Sequence, residues 1–343
     1  MVKKTDMYIK LAHIPGLEEI VLKELKQYSD FKILKTGPGL FVIDYIDSFE
    51  CIKKLKIISR AYLATKNKVY NPIYLTKHKS IVGKLIQIIF DQNPPKSFKT
   101  FSVSCAGSDS HEIKEIKSYI NSEFKLMYKD EADLKIHIAK IDDEWEIGIQ
   151  ITPRPLSARE YRIKNMSGAI DATIASAMNM LAQVEKKHTY LNVFSGSGTL
   201  VIEASLMSKT LEKIIGFDID KKNLSVSIQN IKAAKQIKKI EIKEANIFDK
   251  PDFGTFDIIT SDLPFGMIIS KNENLESLYK EFVSFSEKSL NINGSLIVFT
   301  SEFELFQTCI KDSQFKISKI YQLSQMTNAG GYIKPKIFVC EFK

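Results

Sequence analysis

Cysteine and tryptophan are scarce, with four and one in 343 residues. Cys51, Cys105, Cys309 and Cys340 stand far apart with no Cys-x-x-Cys pair. That suits a reducing compartment and argues against a disulfide framework or a structural zinc site. The five histidines (His13, His78, His111, His137 and His188) fall at no metal-ligand spacing, so no metal is expected. Long apolar runs are missing too. The longest, residues 84–90 and 295–300, fall far short of the roughly 20 residues a membrane helix needs, and no membrane partner is expected. The start, Met1-Val-Lys-Lys-Thr-Asp6, holds no apolar leader core, so a cytoplasmic protein is expected. No low-complexity tract and no solenoid repeat is visible.

What is present is an ordinary globular composition, 44% apolar and 26% charged, in a chain long enough for two domains. The net charge of +8 is unevenly placed. Residues 1–164 carry 28 Lys and Arg against 21 Asp and Glu, whereas residues 165–343 carry 21 against 20. A basic half beside a nearly neutral one suggests that a polyanion docks on the former.

Residues 6–64 read as strand, helix, strand, strand, helix, which opens a ferredoxin-like fold. Leu17, Ile20, Val21 and Leu25 give the first helix its apolar stripe at 3.6 spacing. Residues 72–153 read as a second small unit: a helix over 79–91 broken by Pro94 and Pro95, a strand over 100–105, a helix over 111–125, then strands over 134–141 and 145–151. Residues 152–166 hold two prolines and four basic residues and read as an ordered connection. From Ser167 onward strands and helices alternate, with strands near 190–194, 214–218, 240–244, 256–261 and 295–300. A last pair lies at 315–323 and 336–342, so the fold class expected here is α/β, a doubly wound sheet. The expected domains are 1–64, 65–153, a linker over 154–166, and 167–343.

Four motifs fall at the ends of those strands. In Leu191-Asn192-Val193-Phe194-Ser195-Gly196-Ser197-Gly198-Thr199-Leu200, a strand runs through a glycine turn straight into a helix. Glycines there take positive φ and let a ligand approach the backbone, and the helix N-terminus favours an electron-rich group. A dinucleotide enzyme is the rival, but Val201 stands where its third glycine belongs. In Gly216-Phe217-Asp218-Ile219-Asp220, Asp218 can accept both hydroxyls of a ribose laid across the turn, while Asp220 suits the cap of the next helix. In Glu244-Ala245-Asn246-Ile247-Phe248-Asp249, Asn246 and the Ile247 amide can face an adenine ring, though a plain Asx turn explains Asn246 equally well.

The fourth motif, Ser261-Asp262-Leu263-Pro264-Phe265-Gly266, decides the class. An exocyclic amine on a base gives its lone pair to the ring and is a poor nucleophile. Two acceptors, the Asp262 carboxylate and the Leu263 carbonyl, can hold its two N–H bonds and draw it toward a tetrahedral shape. Pro264 aims that carbonyl, and Phe265 gives the base a face, a contact worth about 1–3 kcal/mol. A sulfonium methyl is already activated, so positioning can supply much of the catalysis.

At these residues the chain resembles the class I S-adenosylmethionine-dependent amine methyltransferases. More closely, it resembles the THUMP-bearing RNA guanine-N2 methyltransferases, over essentially its whole length. Ile14-Pro15-Gly16-Leu17-Glu18-Glu19 is similar to that family's opening helix, and residues 72–153 have the THUMP element order. Leu156-Ser157-Ala158-Arg159-Glu160-Tyr161-Arg162 is similar to its Leu-x-x-Arg-x-Tyr-Arg signature, and residues 169–178 to the helix that introduces its catalytic domain. Asp262-Leu263-Pro264-Phe265-Gly266 is similar to the (Asp/Asn)-Leu-Pro-(Phe/Tyr)-Gly pattern of the branch acting on guanine 6 of tRNA. The chain departs from the family at Asn192-Val193-Phe194-Ser195, at Asn246 where Asp is usual, and at Ala158 where a second basic residue is frequent.

The resemblance implies a C-terminal Rossmann-like domain behind ferredoxin-like and THUMP regions, S-adenosylmethionine as cofactor, tRNA as partner, and a monomer. It implies cofactor binding by Phe194, Ser195, Gly196, Ser197, Gly198, Thr199, Asp218, Ile219, Asn246, Ile247 and Asp262, with Asp262, Leu263, Pro264 and Phe265 catalytic. THUMP is expected to read the 3′ end of tRNA, with Lys77, His78, Lys79, Lys96, Lys99, Arg154, Arg159, Arg162 and Lys164 as phosphate partners. Arg159 and Arg162 could equally clamp the interdomain interface. The expected reaction is methylation of guanosine N2 in tRNA, with position 6 preferred. Position 10, ribosomal RNA, an adenine or glutamine amine, or an RNA-binding protein without catalysis are the alternatives.

Overall fold

The computed structural model describes residues 6–28, 31–66, 79–105, 110–141, 143–264, 275–326 and 330–343. Lys77, His78 and Phe265, singled out above, lie outside the described residues. The chain divides into two compact units, one of Met1–His13 with Val21–Ser157, the other of Ile14–Ile20 with Ala158–Lys343.

The chain opens with β1 (Met7–Ala12), α1 (Glu18–Leu25), β2 (Ile33–Gly37), β3 (Leu40–Asp44), α2 (Glu50–Lys53) and β4 (Arg60–Thr65). The strands lie in the order β2-β3-β1-β4, every neighbour antiparallel, which completes the ferredoxin-like pattern the sequence opens. Alternation does the work in β1: Met7, Ile9 and Leu11 are buried, and Tyr8 and Lys10 face the other way. The apolar stripe of α1 is buried as its spacing requires.

Next come α3 (Lys79–Asp91), β5 (Thr100–Cys105), α4 (His111–Phe124), β6 (Met127–Tyr128), β7 (Leu134–Ile141) and β8 (Glu144–Gln150). Beyond α3, the Asn93 side-chain amide donates to the Ile89 carbonyl at 2.8 Å, and Pro94 and Pro95 prevent any continuation. Ser110 caps α4, its hydroxyl accepting from the Ile113 amide at 3.4 Å. Strand β8 pairs with β4, from Tyr62 opposite Gln150 to Thr65 opposite Ile147. The two N-terminal segments therefore share one sheet, ordered β2-β3-β1-β4-β8-β7-β5-β6.

The second unit holds α5 (Ala172–Leu181), β9 (Thr189–Val193), α6 (Thr199–Met207), β10 (Lys213–Asp218), α7 (Lys221–Ala233), β11 (Ile240–Glu244) and β12 (Phe256–Asp262). It continues with α8 (Leu275–Ser289), β13 (Leu290–Thr300), α9 (Phe303–Lys311), β14 (Phe315–Gln322), β15 (Gln325–Met326), β16 (Tyr332–Ile333) and β17 (Lys336–Phe342). Strands β11-β10-β9-β12-β13 are parallel, and β17 and β14 close the sheet antiparallel. Near-continuous burial of β9, β10 and β12 is what a parallel strand covered on both faces requires. Strand β13 begins five residues earlier than the sequence suggests, because Leu290 pairs with Phe256 before the register shifts.

The order reverses at β9, since β10 lies on one side of it and β12 on the other. Val193 is level with Phe217 on one neighbour and Ser261 on the other. A doubly wound sheet opens a crevice at such a reversal, outside the carboxyl ends of its strands. Three of the four motifs begin there. Among the described residues no helix is long and apolar enough to cross a membrane.

Candidate active site

Strand β9 ends in a turn that is left-handed at three of five positions, with φ of +57° at Phe194, +53° at Gly196 and +78° at Gly198. A Cβ on Gly198 would stand 2.4 Å from the Ser227 hydroxyl oxygen, so glycine is required there by space as well as by φ. Phe194 has no such licence. A bulky residue at positive φ is strained, and strain of this kind collects at functional sites.

Asp218 closes β10 beside that turn. Its Oδ2 accepts from the Gly196 amide at 2.8 Å, and its Oδ1 accepts from the Asp220 amide at 2.9 Å and the Asn223 side chain at 3.3 Å. A carboxylate offers about four acceptor positions. Only one, on Oδ2, is left for a ligand hydroxyl. The expectation that Asp218 takes both hydroxyls of a ribose is corrected accordingly; Asp220 lines the same cleft and can meet the second. Asp220 also caps α7, as its position suggests, through the Lys222 amide at 2.8 Å.

Asp262 closes β12 across the crevice. The residue is half-buried, and its Oδ1 is sealed from solvent with no hydrogen-bond partner among the described residues. Burial pushes its carboxyl up to about 8. A buried acceptor without a partner is costly unless something else fills it. Leu263 follows, its amide donating to the Phe299 carbonyl at 2.9 Å.

These groups share one open cleft of about 240 Å³, lined by Phe194, Ser195, Gly196, Ser197, Leu200, Asp218, Asp220, Asn223, Asp262, Leu263 and Pro264, with residues 166–170 as its further wall. No ligand role is read from the sequence for that wall, nor for Asn223 and Leu200. The available signals are position, since residues 166–170 lead directly into the helix before β9, and the family likeness that begins at Ala169. Their anchoring is visible only in three dimensions. Asn230, fully buried on α7, donates to the Lys164 and Ser197 carbonyls at 3.2 Å each and accepts from the Lys164 amide at 3.0 Å. One side chain thus holds both the connecting segment and the glycine turn.

Arg159 is not on a phosphate-binding surface, and that expectation is corrected. Its guanidinium donates to Glu203 Oε1 at 2.9 Å and reaches the Ser176 hydroxyl at 3.3 Å, with its side chain only 9% exposed. Tyr161 donates to Glu203 Oε1 at 2.7 Å, and Ser176 at 2.6 Å and a second Arg159 nitrogen at 3.5 Å donate to Glu203 Oε2, so the fully buried acid is satisfied four ways. A charge this deep must be paired, and a sequence cannot show which partner the fold supplies.

Other expected residues stand apart from the cleft. Asn246 Oδ1 accepts from the Phe248 amide at 3.1 Å as the cap of a short helical turn, which is the Asx alternative. Ile247 is buried, Ile219 is exposed, and Gly198 and Thr199 sit at the start of α6 behind the lining. Lys96 and Lys99 are exposed and line a separate cavity of about 400 Å³ with Phe90, Phe98, Phe124 and Lys125. Lys79 lies 3.8 Å from Glu115, an exposed pairing of little strength. Arg154 and Lys164 are exposed and Arg162 half-exposed. Among the described residues no group of His, Cys, Asp and Glu is arranged to hold a metal ion.

Residues 159–328 match the family described as RMKL-like, methyltransferase domain. The tRNA (guanine(6)-N2)-methyltransferase of Methanocaldococcus jannaschii is 26% identical over 372 aligned residues, covering 93% of this chain and 96% of that protein. The crystal structure of TrmN from Thermus thermophilus superposes with a TM-score of 0.73 at 20% identity, covering 98% of this chain and 100% of that one. That of SMU.472 complexed with SAH does so with a TM-score of 0.70 at 16% identity, covering 98% and 99%. These two likenesses establish the fold.

Proposed function

We propose, from the match of residues 159–328 to the RMKL-like methyltransferase domain, that the chain transfers one methyl group from S-adenosylmethionine to N2 of a guanosine in tRNA, at position 6, in the cytoplasm. The observation that carries the reading is Asp262, which lines the same cleft as Gly196 and Asp218 and whose Oδ1 is buried without a partner among the described residues. The choice of guanine N2 in tRNA is supported by the name of the M. jannaschii relative.

The cleft fits the cofactor chemically. Asp218 Oδ2 and Asp220 offer acceptors for a sugar diol, and Gly196, whose missing side chain makes room for the Met166 methyl, lines the cleft beside them. Phe194, Ser195, Gly196 and Ser197 would hold the nucleoside along the turn, with residues 166–170 opposite. When bound, S-adenosylmethionine supplies a methyl group already activated by its positive sulfur.

Everything else falls to the protein. The Asp262 carboxylate accepts one N–H of the target amine and the Leu263 carbonyl accepts the other, which draws the nitrogen lone pair out of the ring. The amine must lose a proton as its new bond forms to carbon. An acid raised to about 8 in its ionised form is basic enough to take that proton. Pro264 fixes that segment, and Phe265 stacks on a base that has left its helix. We assign residues 1–64 and 65–153 to the regions that grip the RNA, 154–166 to the linker and 167–343 to catalysis, with Lys96, Lys99, Arg154, Arg162 and Lys164 as phosphate partners.

The deciding experiment is mass spectrometry of tRNA incubated with the protein and isotopically labelled cofactor. N2-methylguanosine at position 6 is expected. Label on adenine, on protein or on ribosomal RNA alone would reject the reading.

A further inference from the structure

We propose that Tyr279 and Thr300 form a hydroxyl clamp that holds the 262–264 segment in its reactive shape, as positioning residues that touch neither substrate nor cofactor. The inference rests on the proposed role of Asp262 and Leu263 as acceptors for the amine. Tyr279 lies on α8 and Thr300 ends β13; both are fully buried. The Tyr279 hydroxyl donates to the Pro264 carbonyl at 3.1 Å and lies 2.8 Å from the Thr300 hydroxyl, which in turn accepts from the Glu302 amide at 3.0 Å.

The direction of this chain of bonds is determined by counting protons. A carbonyl has none to give, so the Tyr279 proton is spent on Pro264. Thr300 must therefore donate to the Tyr279 oxygen, and its own oxygen is left to accept from Glu302. Each hydroxyl gives once and receives once. Burial raises the pKa of Tyr279 above that of an ordinary phenol, which keeps the donated proton in place.

The consequence falls on the Leu263 carbonyl. On one side of it the Leu263 amide is tied to the Phe299 carbonyl at 2.9 Å. On the other, the proline ring fixes φ at Pro264 and the clamp fixes that residue's carbonyl. The acceptor between is thus held at both ends, with β13 supplying both anchors through consecutive residues, Phe299 and Thr300. Tyr279 also joins Pro264 to the first turns of α8, which begins at Leu275. An acceptor aimed in advance costs no reorganisation when the reaction occurs.

Neither Tyr279 nor Thr300 lines the cleft, so cofactor affinity and chemistry can be separated. Tyr279→Phe, Thr300→Val and Thr300→Ser are to be compared with the unaltered protein in three measurements: calorimetry with S-adenosylhomocysteine, hydrogen exchange of the peptide containing Leu263, and methyl transfer to tRNA. Tyr279→Phe should keep its affinity, lose exchange protection at that segment, and lower kcat roughly tenfold to hundredfold with KM for tRNA unchanged, as small misplacements do. Thr300→Val should do the same more weakly, and Thr300→Ser, which keeps the hydroxyl, should behave as the unaltered protein. Unchanged exchange at Leu263 in Tyr279→Phe, a parallel loss of cofactor affinity, or equal defects in the Ser and Val variants would each overturn the clamp. Failure of the tRNA assignment shows differently, as an unaltered protein that methylates no tRNA while the exchange result stands.

Discussion

The Gly196 amide donates to Asp218 Oδ2 at 2.8 Å, so a glycine of the turn and an acid 22 residues later belong to one construction. The acid does not merely await a ligand. It holds the turn that the ligand must meet, and its last acceptor position faces the cleft.

Asp218→Asn should therefore weaken cofactor binding twice over, by removing charge and by setting an amide N–H against the Gly196 or Asp220 N–H. Calorimetry with S-adenosylhomocysteine should show affinity lower by roughly tenfold to hundredfold, matching the loss of a charge-assisted hydrogen bond of about 1.5–3 kcal/mol. An unchanged affinity would show that no ligand touches Asp218.

Asp262→Asn should abolish methyl transfer and yet stabilise the protein at pH 8 and above. Folding raises this carboxyl from 3.8 to about 8, so the folded state holds the proton more tightly than the unfolded state. The stability conferred is fully present below pH 3.8 and is lost as pH rises through about 8. Thermal melts from pH 5 to 9 should show the wild type falling relative to Asp262→Asn across that window. Parallel curves would mean that the carboxylate is not held against its will.

Glu203→Gln leaves Arg159 buried beside a neutral partner. Unfolding in urea should show a loss of about 3–5 kcal/mol, the usual result of breaking a buried ion pair on one side. Arg159→Ala should be similarly unstable. If Arg159→Ala instead folded normally and bound tRNA with a shallower salt dependence, its place on an RNA surface would be restored.

Gly198→Ala should destabilise the second unit, through a Cβ 2.4 Å from Ser227 Oγ and a left-handed backbone that costs about 1–2 kcal/mol for an L-residue. Adding Ser227→Ala removes the closest atom and leaves the backbone cost, so the double variant should recover part of the loss. Melting temperatures that simply add would show that the two positions do not meet.

Lys96→Glu with Lys99→Glu should weaken tRNA binding alike for all sequences. The slope of log affinity against log salt should fall by about one for each phosphate no longer neutralised. Filter binding at several salt concentrations reads this directly. A change in which guanosine is methylated, with the slope intact, would assign the pair to recognition instead.

Much of this was legible in the chain itself, because its signals are local. The apolar stripe of α1, the prolines after α3 and the cap at Asp220 depend on a few neighbouring residues, and the structure agrees with each. The order of glycine turn, acid and Asp-Leu-Pro likewise places three motifs at the ends of adjacent parallel strands. Other features needed the fold. That β4 and β8 join two N-terminal segments into one sheet depends on register between strands over 80 residues apart. Arg159 is inward because Glu203, 44 positions away and fully buried, carries a charge that the Arg159 guanidinium pairs. Asp262 is an orphaned acceptor, and Tyr279 a donor to Pro264, only once β12, β13 and α8 stand together. Periodicity and turn chemistry are short-range and can be read along a chain; burial and the saturation of hydrogen bonds are properties of the residues that folding brings from a distance.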